Sequence, residues 1–231
     1  MAAPSVPAAG PAGGWLVRFY ASTIGRKVVM AATGIVLVGF ITIHMIGNLL
    51  VHRGAAAMNG YAALLQSYPA LVWGTRAVVL VALVFHVHAA LTLSRRARAA
   101  RPERYAKLRP QVSTLAARLM RIGGLLLATF VIFHILHFTT GTILPSLFVK
   151  GEPYENVVRS FSVVWVALFY LVSMAALALH LHHGIWSMFQ TLGANHPNVN
   201  GIRLHLAWFI SVFIPLGFVS IPLGVLFGLV R

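Results

Sequence analysis

Residues 28–51 have the sequence VVMAATGIVLVGFITIHMIGNLLV, a run with no Asp, Glu, Lys or Arg and a single histidine, His44. About 20 apolar residues are enough for an α-helix to cross the roughly 30 Å hydrocarbon core of a bilayer. Four further runs of similar length follow, at residues 71–94, 120–144, 161–189 and 205–229. The sequence therefore predicts five membrane-spanning helices.

The composition agrees with a membrane protein rather than with a soluble domain. Hydrophobic residues make up 59% of the 231 residues and charged residues only 9%, whereas soluble domains contain about 25% charged residues. The runs lack the polar–apolar alternation of a membrane barrel, so helices are expected. The predicted fold is an all-α bundle of five transmembrane helices at residues 28–231, preceded by a disordered and interfacial segment at residues 1–27.

Basic side chains are concentrated on two segments that lie on the same side of the membrane in a five-span topology. Three precede the first span, and nine occupy residues 95–121, between the second and third spans. Cytoplasmic loops carry an excess of Lys and Arg. We therefore expect a protein of the inner (cytoplasmic) membrane with the N-terminus in the cytoplasm and the C-terminus outside. The net charge of +15 then indicates topology and contact with membrane lipid, and no nucleic acid partner is expected.

Four spans each carry a histidine away from their centre. At 1.5 Å of rise per residue, His44 and His134 lie about 5–7 Å beyond the midplane towards the outside. His88 and His180 lie about 8 Å towards the cytoplasm. Ionisable side chains inside a membrane are functional candidates by default, and imidazole is a common haem ligand. Two pairs at two depths therefore predict two stacked b-type haems, each held by two axial histidines, with the His44 pair outside and the His88 pair inside.

A second histidine in the same span competes with His88. His86 points about 200° away from it round the helix, so only one of the two can face a given partner. His88 is preferred because Arg95, two turns further on, is placed to meet a haem propionate at the cytoplasmic edge.

The other ligand positions also have competing neighbours. His180 is preferred to His182 and His183 because it lies deeper in its span. His137 lies nearer the outer surface than His134 and stays the alternative ligand of the outer haem.

Seven short motifs follow one another along the chain. The motifs are Ser22-x-x-Gly25-Arg26-Lys27, Thr33-Gly34, His44-x-x-Gly47-Asn48, Gly54 with Asn59 and Tyr61, His88-Ala89, His134, and His180-x-x-x-Gly184-x-Trp186. In this order on five spans, they resemble the cytochrome b subunit that anchors succinate dehydrogenases and fumarate reductases. The resemblance implies the same four haem ligands as the depth estimate. It also implies membrane quinone, expected to be menaquinone, as a further cofactor.

The resemblance implies protein partners as well. In that family the anchor binds an iron–sulfur subunit, which carries a flavoprotein where succinate and fumarate interconvert. The chain contains no cysteine, so any iron–sulfur cluster of such a complex must belong to a partner. The chain is then expected to be a subunit of a succinate:quinone oxidoreductase that relays electrons through its haems.

The chain departs from some members of that family at positions linked to proton movement. Relatives that couple quinol oxidation to transmembrane proton movement carry a glutamate two positions before the last haem ligand, where this chain has Ala178. They also use an acidic residue near the outer haem, whereas the acidic residues here lie in loops, at Glu103, Glu152 and Glu155. We therefore expect succinate oxidation with quinone reduction.

Polar residues near the two membrane faces are candidates for the remaining contacts. The candidate partners of haem propionates are Arg26, Lys27 and Arg95. The candidates for a quinone site or a haem edge are His52, Tyr61 and Gln66 on the outer side, and Ser113, His183 and Trp186 on the inner side. The cations have an alternative interpretation as charges that only orient the chain in the membrane.

Two other functions stay open at this point. A dihaem cytochrome b subunit of a hydrogenase or a formate dehydrogenase would have the same ligands and differ in its partner. A proton-coupled transporter or channel would use the histidines for protons, and would be expected to show internal repeats and broken helices. No repeat is apparent in the sequence, and a visible absorption spectrum separates a haem protein from a transporter.

Overall fold

The computed structural model describes residues 14–100 and 115–231. The expectations for residues 1–13, for Ser113 and Glu103 and for the basic residues between 101 and 114 lie outside the described residues. Within the described ranges, all regular structure is helical.

The helices alternate between long membrane-spanning elements and short connecting ones. In chain order the α-helices are α1 (Trp15–Ala21), α2 (Thr23–Asn48), α3 (Ala55–Gln66), α4 (Pro69–Ala99), α5 (Leu115–His134), α6 (Pro153–Phe161), α7 (Val164–Thr191) and α8 (Pro197–Leu226). A 3-10 turn at Leu49–Arg53 follows α2, a π-helical turn at Ile135–Thr139 continues α5, and a further 3-10 turn lies at Pro145–Leu147. Helices α2, α4, α5, α7 and α8 are long and apolar enough to cross a membrane. The predicted five-helix, all-α fold is confirmed.

The ends of the helices differ from the apolar runs. Helix α8 begins at Pro197, where proline suits the first helical position and the His196 side chain accepts a hydrogen bond from the Asn198 amide. The run in the sequence begins later, at residue 205, because the first turns of α8 contain polar residues. Helices α3 and α6, with 12 and 9 residues, are too short to appear as membrane-spanning runs.

The bundle is organised around α2 and α7. Helix α7 packs against α5 on one side and α8 on another, while α2 packs against α4 and also contacts α7 and α8. Large apolar side chains such as Ile122, Leu125 and Phe209 are exposed on the outside of the bundle. An apolar exterior is what a helix bundle presents to lipid.

Candidate functional site

Two histidine pairs lie between the long helices, and the first joins α2 to α5. The rings of His44 and His134 have centroids 5.8 Å apart and planes at 84°. Phe40, one turn before His44, stacks on that ring with centroids 5.4 Å apart. Phe130, one turn before His134, lies 5.7 Å from the second ring. The structure therefore brings together the two histidines predicted for the outer haem.

The second pair joins α4 to α7, and it contains His86 instead of His88. The ring centroids of His86 and His180 lie 6.2 Å apart. The Nδ1 atom of His86 is 3.1 Å from the carbonyl oxygen of Met30 on α2. His88 is exposed, and its Nδ1 lies 2.6 Å from the hydroxyl oxygen of Tyr20 on α1. The sequence predicts a pair of His88 and His180, and the structure instead pairs His86 with His180.

Packing between α2 and α4 explains this difference. The buried residues of α4, Ala82 and Ala89, lie four positions before and three positions after His86, so these three share one helix face. That face meets α2 at Gly34, where a Cβ atom would lie 3.6 Å from the His86 ring. Small residues allow the two helices to approach closely. The orientation of α4 about its own axis therefore points His86 inward. A depth estimate measures position along the helix and not this orientation.

Each pair has the spacing of two imidazoles that bind one metal from opposite sides. At metal–nitrogen distances of about 2.0–2.1 Å, as for imidazole on zinc, the centroids of two opposed rings lie roughly 6 Å apart. The contact with the Met30 carbonyl requires a hydrogen on Nδ1 of His86, which leaves Nε2 free for a metal. The Nδ1 atom of His180 is buried and has no hydrogen-bond partner among the described residues. Two neighbouring imidazoles are a donor set that would hold a haem iron, and the residues fit that group.

The two pairs lie at different levels of the bundle, and two helices give the same separation. On α2, Gly34 lies against His86, and His44 follows ten residues later. On α7, the hydroxyl of Tyr170 lies 3.4 Å from Nδ1 of His134, and His180 follows ten residues later. At 1.5 Å of rise per residue, ten residues correspond to about 15 Å. The bundle therefore holds two separate imidazole sites, one above the other.

Open space lies beside the second pair. An apolar groove of about 230 Å³ between α5 and α7 is lined by His180, Gly123 and neighbouring apolar side chains. A Cβ atom added at Gly123, Gly124 or Gly184 would meet no atom within 4 Å. Of these three, Gly123 lines the groove beside His180 and leaves space there.

The three predicted propionate partners differ in their surroundings. Lys27 and Arg95 are exposed. Arg26 is half-buried, and its Nε and Nη1 atoms are buried without a hydrogen-bond partner in the described part of the chain. Its guanidinium carbon lies 5.6 Å from the centre of the Tyr20 ring. Of the three, Arg26 is the residue with buried donors that a carboxylate would satisfy.

The predicted quinone contacts are spread over the bundle. His52 lies 2.9 Å from the Ser220 hydroxyl, Tyr61 packs against Gly47, and Gln66 is exposed at the end of α3. His183 and Trp186 lie half-buried near the far end of α7. None of these side chains lines the groove beside His180, and Ser113 lies outside the described residues.

A family comparison agrees with this architecture. Residues 94–219, just over half of the chain, match the model of the succinate dehydrogenase/fumarate reductase transmembrane subunits. The chain belongs to this family. No curated protein and no solved structure matches the chain. The matched part of this transmembrane subunit contains α5, α7 and most of α8, and therefore one histidine of each pair, His134 and His180.

Family membership confirms the resemblance seen in the sequence. The chain is a multi-pass membrane protein of the type that anchors succinate dehydrogenase or fumarate reductase. The family implies association with the other subunits of such a complex and is typically haem-binding.

Some residues of this transmembrane subunit carry contacts that the sequence does not mark. Arg203 is only 2% exposed, its guanidinium lies 3.8 Å from the centre of the Trp186 ring, and it donates to the Ala194 carbonyl oxygen at 3.3 Å. Tyr170 and Ser160 are buried beside the first histidine pair. A tyrosine and a serine in an apolar region have no distinctive spacing, so only the packing of α5, α6 and α7 identifies them.

Proposed function

We propose that this anchor subunit binds two haems b and relays electrons between an iron–sulfur partner subunit and membrane quinone, as part of a succinate:quinone oxidoreductase. The observation that carries the proposal is the presence of two imidazole pairs with ring centroids 5.8 Å and 6.2 Å apart. A rise of 1.5 Å per residue places the two pairs about 15 Å apart along the bundle axis. When bound, a haem with imidazole on both faces supplies one-electron transfer and has no open position for oxygen or substrate.

Four histidines hold the two haems in this proposal. His44 and His134 form the site between α2 and α5. His86 and His180 form the site between α4 and α7. His86 replaces His88 in the second site because its ring lies opposite His180 and because the Met30 carbonyl orients its Nδ1. Such a contact to the second ring nitrogen is usual for histidines that bind a metal.

The remaining parts of the chain orient these groups and exclude water. Phe40 and Phe130 cover the rings of the first pair. Arg26 offers buried N–H groups to a propionate. Aromatic and aliphatic surroundings of this kind limit solvent access, which influences the reduction potential of a bound group.

The direction of electron flow and the quinone follow from the family resemblance. Ala178 lies two positions before His180, where relatives that couple quinol oxidation to proton movement have a glutamate. Quinone reduction by succinate is therefore the proposed direction, with menaquinone as the acceptor. The identity of the quinone is tested by organic extraction of the purified complex and mass spectrometry of the extracted quinone.

Substitution of each histidine by alanine tests the ligands. Haem is measured by the pyridine haemochrome method on the purified complex, with the iron–sulfur and flavin-containing subunits as internal standard. The variants His44→Ala, His134→Ala, His86→Ala and His180→Ala are each expected to lose about half of the haem, because each removes one of two axial ligands at one site.

The matched control is His88→Ala, two residues from His86 on the same helix. It is expected to retain both haems. Loss of haem in His88→Ala with retention in His86→Ala would move the ligand assignment back to His88. A colourless complex would contradict the proposed function as a whole.

A further inference from the structure

A chain of buried hydrogen bonds leads away from His134. Its Nδ1 lies 3.4 Å from the Tyr170 hydroxyl, which lies 3.2 Å from Nδ1 of His137. The Nε2 atom of His137 lies 3.0 Å from the Ser160 hydroxyl. Tyr170, His137 and Ser160 are 6%, 1% and 1% exposed. Three polar side chains, from the π-helical turn after α5, from α6 and from α7, thus meet in an otherwise apolar region.

We infer that Tyr170, held in place by His137 and Ser160, is a positioning residue that orients the His134 ring and increases its basicity as a ligand of haem iron. This inference rests on the proposed haem-binding function. It adds three residues to the site, none of which touches the iron.

One order of donors uses every polar hydrogen between these groups when His134 binds a metal through Nε2. Nδ1 of His134 then carries the hydrogen and donates to the Tyr170 oxygen. The Tyr170 hydroxyl donates to Nδ1 of His137, and Nε2–H of His137 donates to Ser160. The reverse order would place a hydrogen on Nε2 of His134 and prevent that atom from binding a metal. Ligation through Nε2 and the contact with Tyr170 therefore require the same tautomer of His134, with the hydrogen on Nδ1.

The backbone is shaped to bring these residues together. The α-helical part of α5 ends at His134, and the π-helical turn Ile135–Thr139 begins at the next residue. A single π-helical turn is rare and often marks a functional site. Here the turn contains His137, a polar side chain that is 1% exposed.

Aromatic rings pack around Tyr170 and exclude water from the hydrogen-bond network. Phe130 and Phe161 each have ring centroids 5.0 Å from that of Tyr170, in edge-to-face geometry. Phe138 lies 4.2 Å from His137 by the same measure. Hydrogen bonds are stronger in such a low-dielectric region than in water. Tyr170 therefore has one well-defined position from which to contact His134.

In the second pair, Nδ1 of His86 contacts the Met30 carbonyl oxygen, and Nδ1 of His180 has no partner among the described residues. Tyr170 therefore contacts a histidine of the first pair only. Donation of the second ring nitrogen raises the basicity of a ligating imidazole. A more basic ligand stabilises the oxidised iron and lowers its reduction potential. Removal of the Tyr170 hydroxyl is therefore expected to affect only the haem at His134.

The test is Tyr170→Phe in the purified complex, which removes the hydroxyl and keeps the ring. Both haems are expected to stay bound, as measured by pyridine haemochrome. In a redox titration, one midpoint potential moves to a more positive value, and the other is unchanged. The largest g value of the same haem changes in the electron paramagnetic resonance spectrum, because the imidazole ring loses its fixed orientation.

The matched control is Tyr20→Phe. It removes a hydroxyl 2.6 Å from Nδ1 of His88, a histidine outside both pairs, and both midpoint potentials are expected to stay the same. His137→Leu is the second variant, because it removes the acceptor of the Tyr170 hydroxyl and leaves Tyr170 and His134 in place. A smaller shift of the same haem, in the same direction, is expected.

The outcomes separate this inference from the proposed function. If Tyr170→Phe and His137→Leu retain two haems with unchanged potentials and g values, the positioning role is overturned, since a packing role alone would lower the thermal stability without moving a potential. If Tyr170→Phe does not assemble, His137→Leu decides the question by itself. Retention of both haems in His134→Ala would instead contradict the proposed ligand set.

Discussion

At the residue scale, Gly47 shows how the size of one side chain constrains the surroundings of a histidine. Gly47 lies three residues after His44 on α2, and the ring of Tyr61 from α3 packs directly onto it. A Cβ atom at this position would lie 2.7 Å from Cε1 of Tyr61 and 3.2 Å from its hydroxyl oxygen. Helix α3 therefore packs against the backbone of α2 next to the first histidine pair.

Gly47→Ala is expected to destabilise the protein by overpacking this contact. Overpacking typically costs about 1–3 kcal/mol, and about 1 kcal/mol lowers the melting temperature of a protein of this size by roughly 2–4 °C. Thermal unfolding of the purified complex measures the effect. Gly60→Ala is the control, because a Cβ at Gly60 would meet no atom within 4 Å. Equal melting temperatures for the two variants would show that Tyr61 moves away without cost.

At the scale of elements, the junction of α1 and α2 explains a motif that the sequence shows only as spacing. The Ser22 hydroxyl oxygen accepts a hydrogen bond from the Gly25 amide at 2.8 Å and caps α2. A Cβ on Gly25 would overlap the carbonyl group of Phe19 in α1. Arg96 of α4 donates to the Ala21 carbonyl oxygen at 2.9 Å. The motif thus encodes a tight bend that places α1 beside the end of α4.

Gly25→Ala is expected to release α1 from this bend, because the Phe19 carbonyl belongs to the backbone and cannot rotate away. A cost of about 1–3 kcal/mol from overpacking raises the fraction of open α1 roughly fivefold or more. Trypsin cleavage after the exposed Arg18, followed by mass spectrometry, measures this opening. Gly14→Ala, which introduces no contact within 4 Å, is expected to leave cleavage unchanged. Similar rates for both variants would contradict the role assigned to Gly25.

The same scale shows which features follow from the sequence and which do not. The five spans follow from it, because a run of about 20 apolar residues is a long and uniform signal. The levels of His44 and His134 follow from a constant rise per residue. The choice between His86 and His88 does not, because a helix in lipid is apolar on every side and its inward face depends on its neighbour. Ala82 and Ala89, small residues on one face of α4, are the signal that would have indicated that His86 faces α2.

The hydrogen-bond network of His134, Tyr170, His137 and Ser160 is harder to predict from the sequence than the choice of the inward face of α4. His137 can be recognised as a buried ionisable residue, but its contact with Tyr170 depends on the π-helical turn. Nothing in the sequence around residue 135 distinguishes that turn from a continuing α-helix. Ser160 joins the network from α6, a helix that the hydropathy pattern does not predict.

At the scale of the whole molecule, both ends of the bundle carry basic residues, whereas the described acidic residues lie at one end only. Helix α6 contacts α3 and so lies at the end of the bundle where α4 begins. The two described acidic residues belong to this end: Glu152 accepts a hydrogen bond from the Asn59 side chain, and Glu155 pairs with Arg159 at 2.7 Å. The opposite end of α4 carries exposed basic residues, namely Arg95, Arg96 and Arg98. An excess of basic residues marks the cytoplasmic side of a membrane protein.

This asymmetry predicts the orientation of the bundle, and the absence of cysteine makes the prediction directly testable. A single cysteine can be introduced at the exposed Lys150, before α6, or at the exposed Ala100, after α4. In right-side-out membrane vesicles, a membrane-impermeant maleimide is expected to label Lys150→Cys at once. Ala100→Cys is expected to react only after the vesicles are opened. The reverse pattern would place the basic end outside, and the iron–sulfur partner would then have to dock at the end that carries α6.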